Sequence, residues 1–369
     1  MKNTARLSAL AAALAVTASA APFVALGDNA ELFLTANVSV SVDDNIYLRS
    51  SGEVDDTILS FAPGLDLVFG QNAATSGNIY YKHEFLKYTD VSQQDTNLAN
   101  VGINSRYENG KSKFTFGASY AEMAQNEVSA PGSIIDSTKT NVSAIGEVGA
   151  TEKTAFGGGV RYEKTSYDSA GMTDSDIWTV PLDVYFDYSP LLQASLGYRY
   201  RSTELSGSAI GSKDHFFNVG ARGEFTPKLK GQIRLGYVMR KFDNGRDDSS
   251  LGADADLTFE ASDKTSLKLG FSNDYGSAAT GASTETTSYS VGLTSKVDEQ
   301  WSWNANLAYR AIDYPNRADD FLQGSVGVGY TYNSFVKFGG SFTHKSNSSG
   351  SAAFEFDNNV FAVTADIRY

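Results

Sequence analysis

Apolar and polar residues alternate along most of the chain with a period of two, the pattern of strands with one greasy face and one wet face. Ile233, Leu235, Tyr237 and Met239 interleave with Gln232, Arg234, Gly236 and Arg240, and Val238 alone spoils the wet side. Leu251, Ala253, Ala255, Leu257 and Phe259 alternate with Gly252, Asp254, Asp256, Thr258 and Glu260. Phe217, Val219, Ala221 and Phe225 do the same with Asn218, Gly220, Arg222 and Glu224. Charged residues thus sit in mid-strand, opposite an apolar face. A water-soluble sandwich would have to cover every such apolar stripe with a partner sheet. A barrel closed on itself in lipid needs no cover, and closure pairs every backbone group in the membrane.

Read this way, the odd-numbered strands fall near 32–42, 79–87, 113–121, 154–163, 193–202, 229–241, 265–275, 301–311 and 335–344. The even-numbered ones fall near 57–69, 98–107, 140–149, 177–188, 215–225, 251–261, 287–297, 321–332 and 359–369. After almost every even strand comes a tight turn, such as Glu108-Asn109-Gly110-Lys111, Thr226-Pro227-Lys228 or Asn333-Ser334, with the residues that turns demand. After the odd strands come longer polar segments, among them 122–139, 202–214, 276–286 and 345–358. Short turns at one end and long loops at the other predict an all-β fold, a transmembrane antiparallel up-and-down β-barrel of about 18 strands with periplasmic turns and extracellular loops. The long connection 70–78 breaks the rule and leaves about 16 strands open.

The last residues, Phe361, Val363, Ala365, Ile367 and Tyr369, are apolar at every second place and end on an aromatic. They resemble the closing strand of bacterial outer-membrane barrels, which implies recognition by the outer-membrane assembly machinery. The start of the chain reads as a secretory signal: Lys2 and Arg6, an apolar run from Leu7 to Ala18, then Ala18-Ser19-Ala20 as a cleavage site. A second site after Ala25-Leu26-Gly27 would give a signal over 1–27 and a single barrel domain over 28–369, and the sequence does not choose between the two. Trp301, Trp303, Tyr330, Tyr332, Phe225, Phe259, Tyr188, Tyr198 and Tyr200 lie near strand ends, as interfacial girdles require.

The net charge of −13, or −15 without Lys2 and Arg6, argues against nucleic acid as a partner. With no cysteine, disulfides and thiolate chemistry are excluded. Of the three histidines, His83 and His344 fall on the lipid-facing parity, and no nucleophilic constellation can be read from spacing, so no enzyme and no cofactor is expected. Two acidic loop runs, Asp43-Asp44-Asn45 with Asp55-Asp56 and Asp243 to Asp248, carry oxygen ligands for Ca²⁺, but neither has EF-hand spacing and solvated loops account for both. The clusters Gly157-Gly158-Gly159 and Gly324 to Gly329 keep strand alternation and read as strand glycines.

A barrel of this size leaves an aqueous channel whose lining charges set selectivity. The expected pore-lining set is Arg161, Asp183, Asp187, Arg199, Arg201, Arg222, Arg234, Arg240, Asp254 and Asp256. Five arginines fall on three neighbouring strands with acidic strands on either side. They either set up a field across the lumen that orients polar or anionic solutes, or pair with the adjacent carboxylates.

The segment from Val38 to Leu48, with Asp43-Asp44-Asn45-Ile46-Tyr47, followed by Asp56-Thr57-Ile58-Leu59-Ser60-Phe61-Ala62-Pro63-Gly64-Leu65, resembles the opening hairpin of the putative β-barrel porin 2 family. That family includes barrels encoded with exopolysaccharide or capsule genes. The resemblance implies an outer-membrane channel and suggests saccharide as its cargo. With the lumen reading, the expected function is passive or mildly selective diffusion of small polar or anionic solutes, saccharides among them. The alternative is a plugged barrel whose loops bind exopolysaccharide or another surface partner. The segment 122–139 separates these: folded inward it narrows the pore, projecting outward it is free for partners. Homo-oligomerisation stays open.

Overall fold

Seven tight turns, the three named above among them, are each organised by one side-chain oxygen at the start. Asn109 accepts the N–H groups of Lys111 and Ser112, and Thr226 those of Lys228 and Leu229. Asn333 accepts from Phe335 and Val336, and Asp298 from Gln300 and Trp301. Thr151, Ser189 and Ser262 repeat the device. Each of these bonds closes within three residues and needs no strand partner, which is why such side chains recur at chain reversals. At Asp298 the Trp301 and Gln300 N–H bonds favour the charged form and pull its pKa below the ordinary carboxylate range.

The computed structural model describes residues 21–71 and 73–369. The expected charged start and apolar core of the signal, in residues 1–20, lie outside the described residues. A two-residue strand, β1 (Val24–Ala25), precedes the long ones. These are β2 (Ala30–Asp43), β3 (Asp56–Phe69), β4 (Thr75–Tyr88), β5 (Thr96–Glu108), β6 (Ser112–Glu127), β7 (Ala130–Gly149), β8 (Thr154–Tyr167), β9 (Ser175–Asp187) and β10 (Leu192–Leu205). They continue with β11 (Ser212–Thr226), β12 (Leu229–Phe242), β13 (Asp247–Ser262), β14 (Thr265–Ser277), β15 (Ser283–Lys296), β16 (Trp301–Tyr314), β17 (Arg317–Thr331), β18 (Val336–Ser349) and β19 (Phe356–Arg368).

Each long strand pairs antiparallel with the next, and β19 pairs back onto β2 from Val360↔Asp43 to Arg368↔Thr35. The sheet therefore closes as an 18-strand barrel, β2 to β19, with β1 added at the edge of β2. Eighteen strands, not sixteen, resolve the open count. The awkward connection 70–78 shortens because β4 begins at Thr75, earlier than its first strong apolar residue, Ile79.

The apolar residues face outward. Leu196, Val219, Leu235, Leu251 and Val363 are all exposed, while Asn218 and Arg240 between them are buried. Among the described residues there is no large apolar core; the three buried clusters are small and lie at the loop end. Trp301, Trp303, Tyr188 and Tyr332 stand exposed near the turn end, with Trp301 against Tyr330 at 4.7 Å.

The segment resembling a family hairpin does a mechanical job at the seam. Asn45 is fully buried, donating to the carbonyls of Arg49 and Asp357 at 2.9 Å each and accepting the Arg49 N–H at 2.9 Å. Asp44 accepts from the backbone and side chain of Asn359, and Asp43 from Asn358. Together these staple β19 to the loop after β2. Asn45→Ala leaves buried carbonyls unpaired and is expected to cost about 2–3 kcal/mol. Urea unfolding of the refolded barrel in liposomes, compared with wild type, measures it.

Candidate channel lumen

Ten charged residues read from the sequence as pore-lining all have lumen parity, but their surroundings differ. The densest group lies toward the loop end. Arg201 Nε donates to Asp214 at 2.7 Å, and Arg240 clasps the same carboxylate through Nε at 2.6 Å and Nη2 at 2.8 Å. Arg201 and Arg199 share Asp274, at 3.1 and 2.8 Å. Asp214 and Arg240 are each 1% exposed, so they form a buried knot and not a wetted surface. Such a knot persists only because every charge has a partner.

Nearer the turn end, Arg234 Nε bonds Asp254 at 2.9 Å. Arg222 reaches Gln193 and Glu147, both at 2.7 Å, and lies 3.3 Å over the Tyr185 ring. Asp187 accepts from Gln193 at 2.6 Å. Asp183 stands opposite Gly197, and Asp256 opposite Gln232 and Gly270. Arg161 stands opposite Ser143 and Thr179. The pairing alternative thus describes the arginines better than an open field. Val238 is the exception that the pattern flagged: it packs inward with Phe216 and Tyr275, and Arg199 lies 4.8 Å over Phe216.

Three partners escaped the sequence reading. Asp214 falls in the expected loop 202–214 but belongs to β11, where the parity running from Asn218 through Phe216 puts it on the wet face. Glu147 and Gln193 carried no signal, because they meet Arg222 from other strands of the wall, with Glu147 as far off as β7.

The greater surprise is at the mouth. The segment 122–139 is not a loop. β6 and β7 stay paired from Glu122↔Thr138 to Glu127↔Ala130, so the hairpin outgrows the wall. Its tip turns inward: Asn126 Nδ2 bonds the Ile46 carbonyl and the Gly132 N–H the Tyr47 carbonyl, both at 2.7 Å. Gly132 does so at φ +109°, a backbone that other residues rarely adopt. Ile134 packs on the cluster of Ile46, Tyr47, Tyr88 and Val91, and Val128 on that of Leu48, Phe321 and Phe356. Phe321 belongs to β17, seven strands from β6 by the shorter way round, so the tip joins a cluster that reaches well across the mouth.

A second hairpin leans in from the other side. β13 and β14 part beyond Ala253↔Asn273, while β14 and β15 remain paired to Ser277↔Ser283. The freed tip is held by the arginine knot, with Arg201 bonding the Tyr275 carbonyl at 2.7 Å and Arg240 the Gly276 carbonyl at 2.9 Å. The Ala279 carbonyl accepts from Thr173 at 2.8 Å. Arg201 and Arg240 are therefore clamps for this hairpin.

No metal-holding group of histidines and carboxylates occurs among the described residues. Asp56 accepts from Thr89 N and Oγ1 and from Val91 N, at 2.7–2.9 Å, so it caps a loop. The histidines engage outward-facing neighbours: His83 with Tyr81 at 3.1 Å, His215 with Tyr198 at 2.8 Å and His344 with Asn359 at 2.9 Å.

The family model described as putative beta-barrel porin 2 matches residues 185–369. Among solved structures the chain is similar to a BenF-like porin from Pseudomonas fluorescens Pf-5, at 10% identity and TM-score 0.51, covering 93% of this chain and 100% of that one. It is similar to Pseudomonas aeruginosa OpdK, solved with vanillate, at 13% identity and TM-score 0.50, over 93% and 100%. Acinetobacter baumannii OccAB2 gives 10% identity and TM-score 0.50 over 93% and 98%. At such identities the likeness concerns the fold. No curated protein sequence matches.

Asp214→Asn removes the charge that two buried arginines share and is expected to destabilise the barrel by about 3–5 kcal/mol. It should also release the β14–β15 tip, read as faster hydrogen exchange at residues 276–281. Unchanged exchange there would contradict the clamp.

Proposed function

Because the chain belongs to the putative β-barrel porin 2 family and is an outer-membrane β-barrel, we propose that it is a diffusion channel for small polar solutes, narrowed on its extracellular side by the β6–β7 hairpin. The carrying observation is a closed ring of 18 strands whose inner face is polar and whose outer face is apolar. Barrels of that strand number are too wide for side chains to fill. The inward tip at Asn126 and Gly132 sets a size limit.

Selectivity by charge is modest in this reading, since Arg199, Arg201, Arg222, Arg234 and Arg240 all have carboxylate partners. We assign no catalytic role. Assembly is assigned to Phe361, Val363, Ala365, Ile367 and Tyr369: on β19 and at its end, Phe361, Val363, Ile367 and Tyr369 stand exposed on the outer face, as a docking signal requires. A second reading, a plugged barrel that binds a surface partner such as exopolysaccharide, draws on the same inward hairpin.

Planar-bilayer recording separates the two. Wild-type protein should give stable conductance steps, and replacing residues 125–134 by a two-residue Asn-Gly turn should raise them at least about twofold, as expected when a constriction in a wide barrel is removed. Silence in wild type with large steps in the truncated protein would favour the plug; silence in both would overturn the channel.

Of the two cleavage sites that the sequence offers, the one after Ala20 is the one we propose. Cleavage there keeps Val24 and Ala25 paired with Leu32 and Glu31, and keeps Phe23 against Tyr369 at 6.1 Å. The intact mass of protein purified from outer membranes should correspond to a chain starting at Ala21; a start at Asp28 would contradict it.

A further inference from the structure

We propose that the lumen wall of β3 to β7 is a stacking subsite for a neutral sugar ring, with Tyr80 as its platform and Asn78 and Asn104 as its hydroxyl-binding edge. The proposal rests on the channel reading and names the solute class that this channel favours.

Tyr80 faces the lumen, since Ile79 and Tyr81 on either side are exposed on the outer face. Its cross-strand neighbours are Asp66 and Gly102. A Cβ at Gly102 would lie 2.6 Å from the Tyr80 hydroxyl oxygen, 2.7 Å from Cζ and 2.8 Å from Cε1. The ring therefore lies down across β5 where a side chain would otherwise stand, turning one face to the wall and the other to the lumen. Tyr185 repeats the arrangement over Gly157, but there Arg222 covers the ring at 3.3 Å. Among the described residues no cation or second ring lies over Tyr80, so its face is free.

Around this face the wall offers amides and hydroxyls. Asn78 and Asn104 lie in register on adjacent strands, with Asn100, Ser119, Asn141 and Ser143 continuing across β5 to β7. The amides are oriented in a chain: Asn104 donates to Asn78 at 3.3 Å, Asn78 to Asp66 at 3.0 Å, and Asp66 is neutralised by Arg368 at 2.9 Å. The cations that border the patch are occupied too, Lys82 by Glu84 and Lys139 by Glu163, each at 3.3 Å.

A free ion finds no uncompensated charge here. A sugar ring matches both surfaces: its C–H face lies on the tyrosine, and its hydroxyls, each a donor and an acceptor, meet amides that are both as well.

The test uses maltohexaose as the probe on the full-length barrel, first as blocks of single-channel current. Wild type should show sugar-dependent interruptions. Tyr80→Leu should shorten them about fivefold, the loss of one stacking contact, and Tyr80→Phe should keep them. Gly102→Ala should shorten them with Tyr80 still present, because the new Cβ lifts the ring. Poly(ethylene glycol) of equal size, which has no hydroxyl pattern, should give no comparable block. Equal block by the polymer, or residence times unchanged in Tyr80→Leu, would overturn the subsite. Calorimetric titration of the detergent-solubilised barrel with maltohexaose does not depend on conduction. Binding that weakens in Tyr80→Leu would uphold the subsite even if bilayers stayed silent, a result that would count against the channel alone. Absence of binding in an open, conducting wild type would overturn the subsite and leave the channel standing.

Discussion

Inside a bilayer the backbone has no water to bond, so every N–H and C=O that crosses it must find a partner within the chain. A sheet meets that demand only by having no edge. Here the last strand returns to the first through nine register pairs, from Val360↔Asp43 to Arg368↔Thr35. The outer face is then free to be apolar without a covering layer, and the inner face free to be polar without being filled. The seam is the one place where strands distant in sequence must meet, and there the chain places its buried Asn45 and the Asp43, Asp44, Asn358 and Asn359 contacts.

Closure creates a second constraint inside. A wide ring lets its loops fall inward, and charges that they cover lose water and need partners. The Arg201–Asp214–Arg240 knot and its neighbour Asp274 answer both conditions at once, compensating one another and gripping the β14–β15 tip. The β6–β7 tip is held differently, by backbone carbonyls of the loop after β2 and by small apolar clusters. The mouth is thus shaped by one polar and one largely apolar latch. What remains open below is a lumen with paired charges on one side and amides and hydroxyls on the other.

Strand positions were legible because period-two alternation is local and is enforced residue by residue by lipid on one side. The tight turns were legible for the same reason: Asn109, Asp298 and Asn333 act within three residues of themselves. Lumen parity followed directly. Partner identity did not, since Arg222 with Glu147 and Arg199 with Asp274 join strands four apart in the barrel. The segment 122–139 misled because its Ser, Thr and Gly content reads as loop, whereas its cross-strand pairing with itself carries it as a hairpin into the lumen. Arg201 and Arg240 were legible as inward-facing but not as buried, because burial there depends on a hairpin folding over them.

The inward course of the β6–β7 hairpin decides whether this barrel has a selective mouth, and the chain's lack of cysteine makes it directly measurable. Cysteines replacing Val128 and Leu48, whose side chains belong to one packed group, can be challenged with a short bifunctional thiol reagent in intact outer membranes. An inward tip gives an internal crosslink in most molecules, seen as a shifted band after heat denaturation. A hairpin that projects from the surface leaves the two thiols too far apart, and an uncrosslinked band under the same conditions would contradict the constricted mouth.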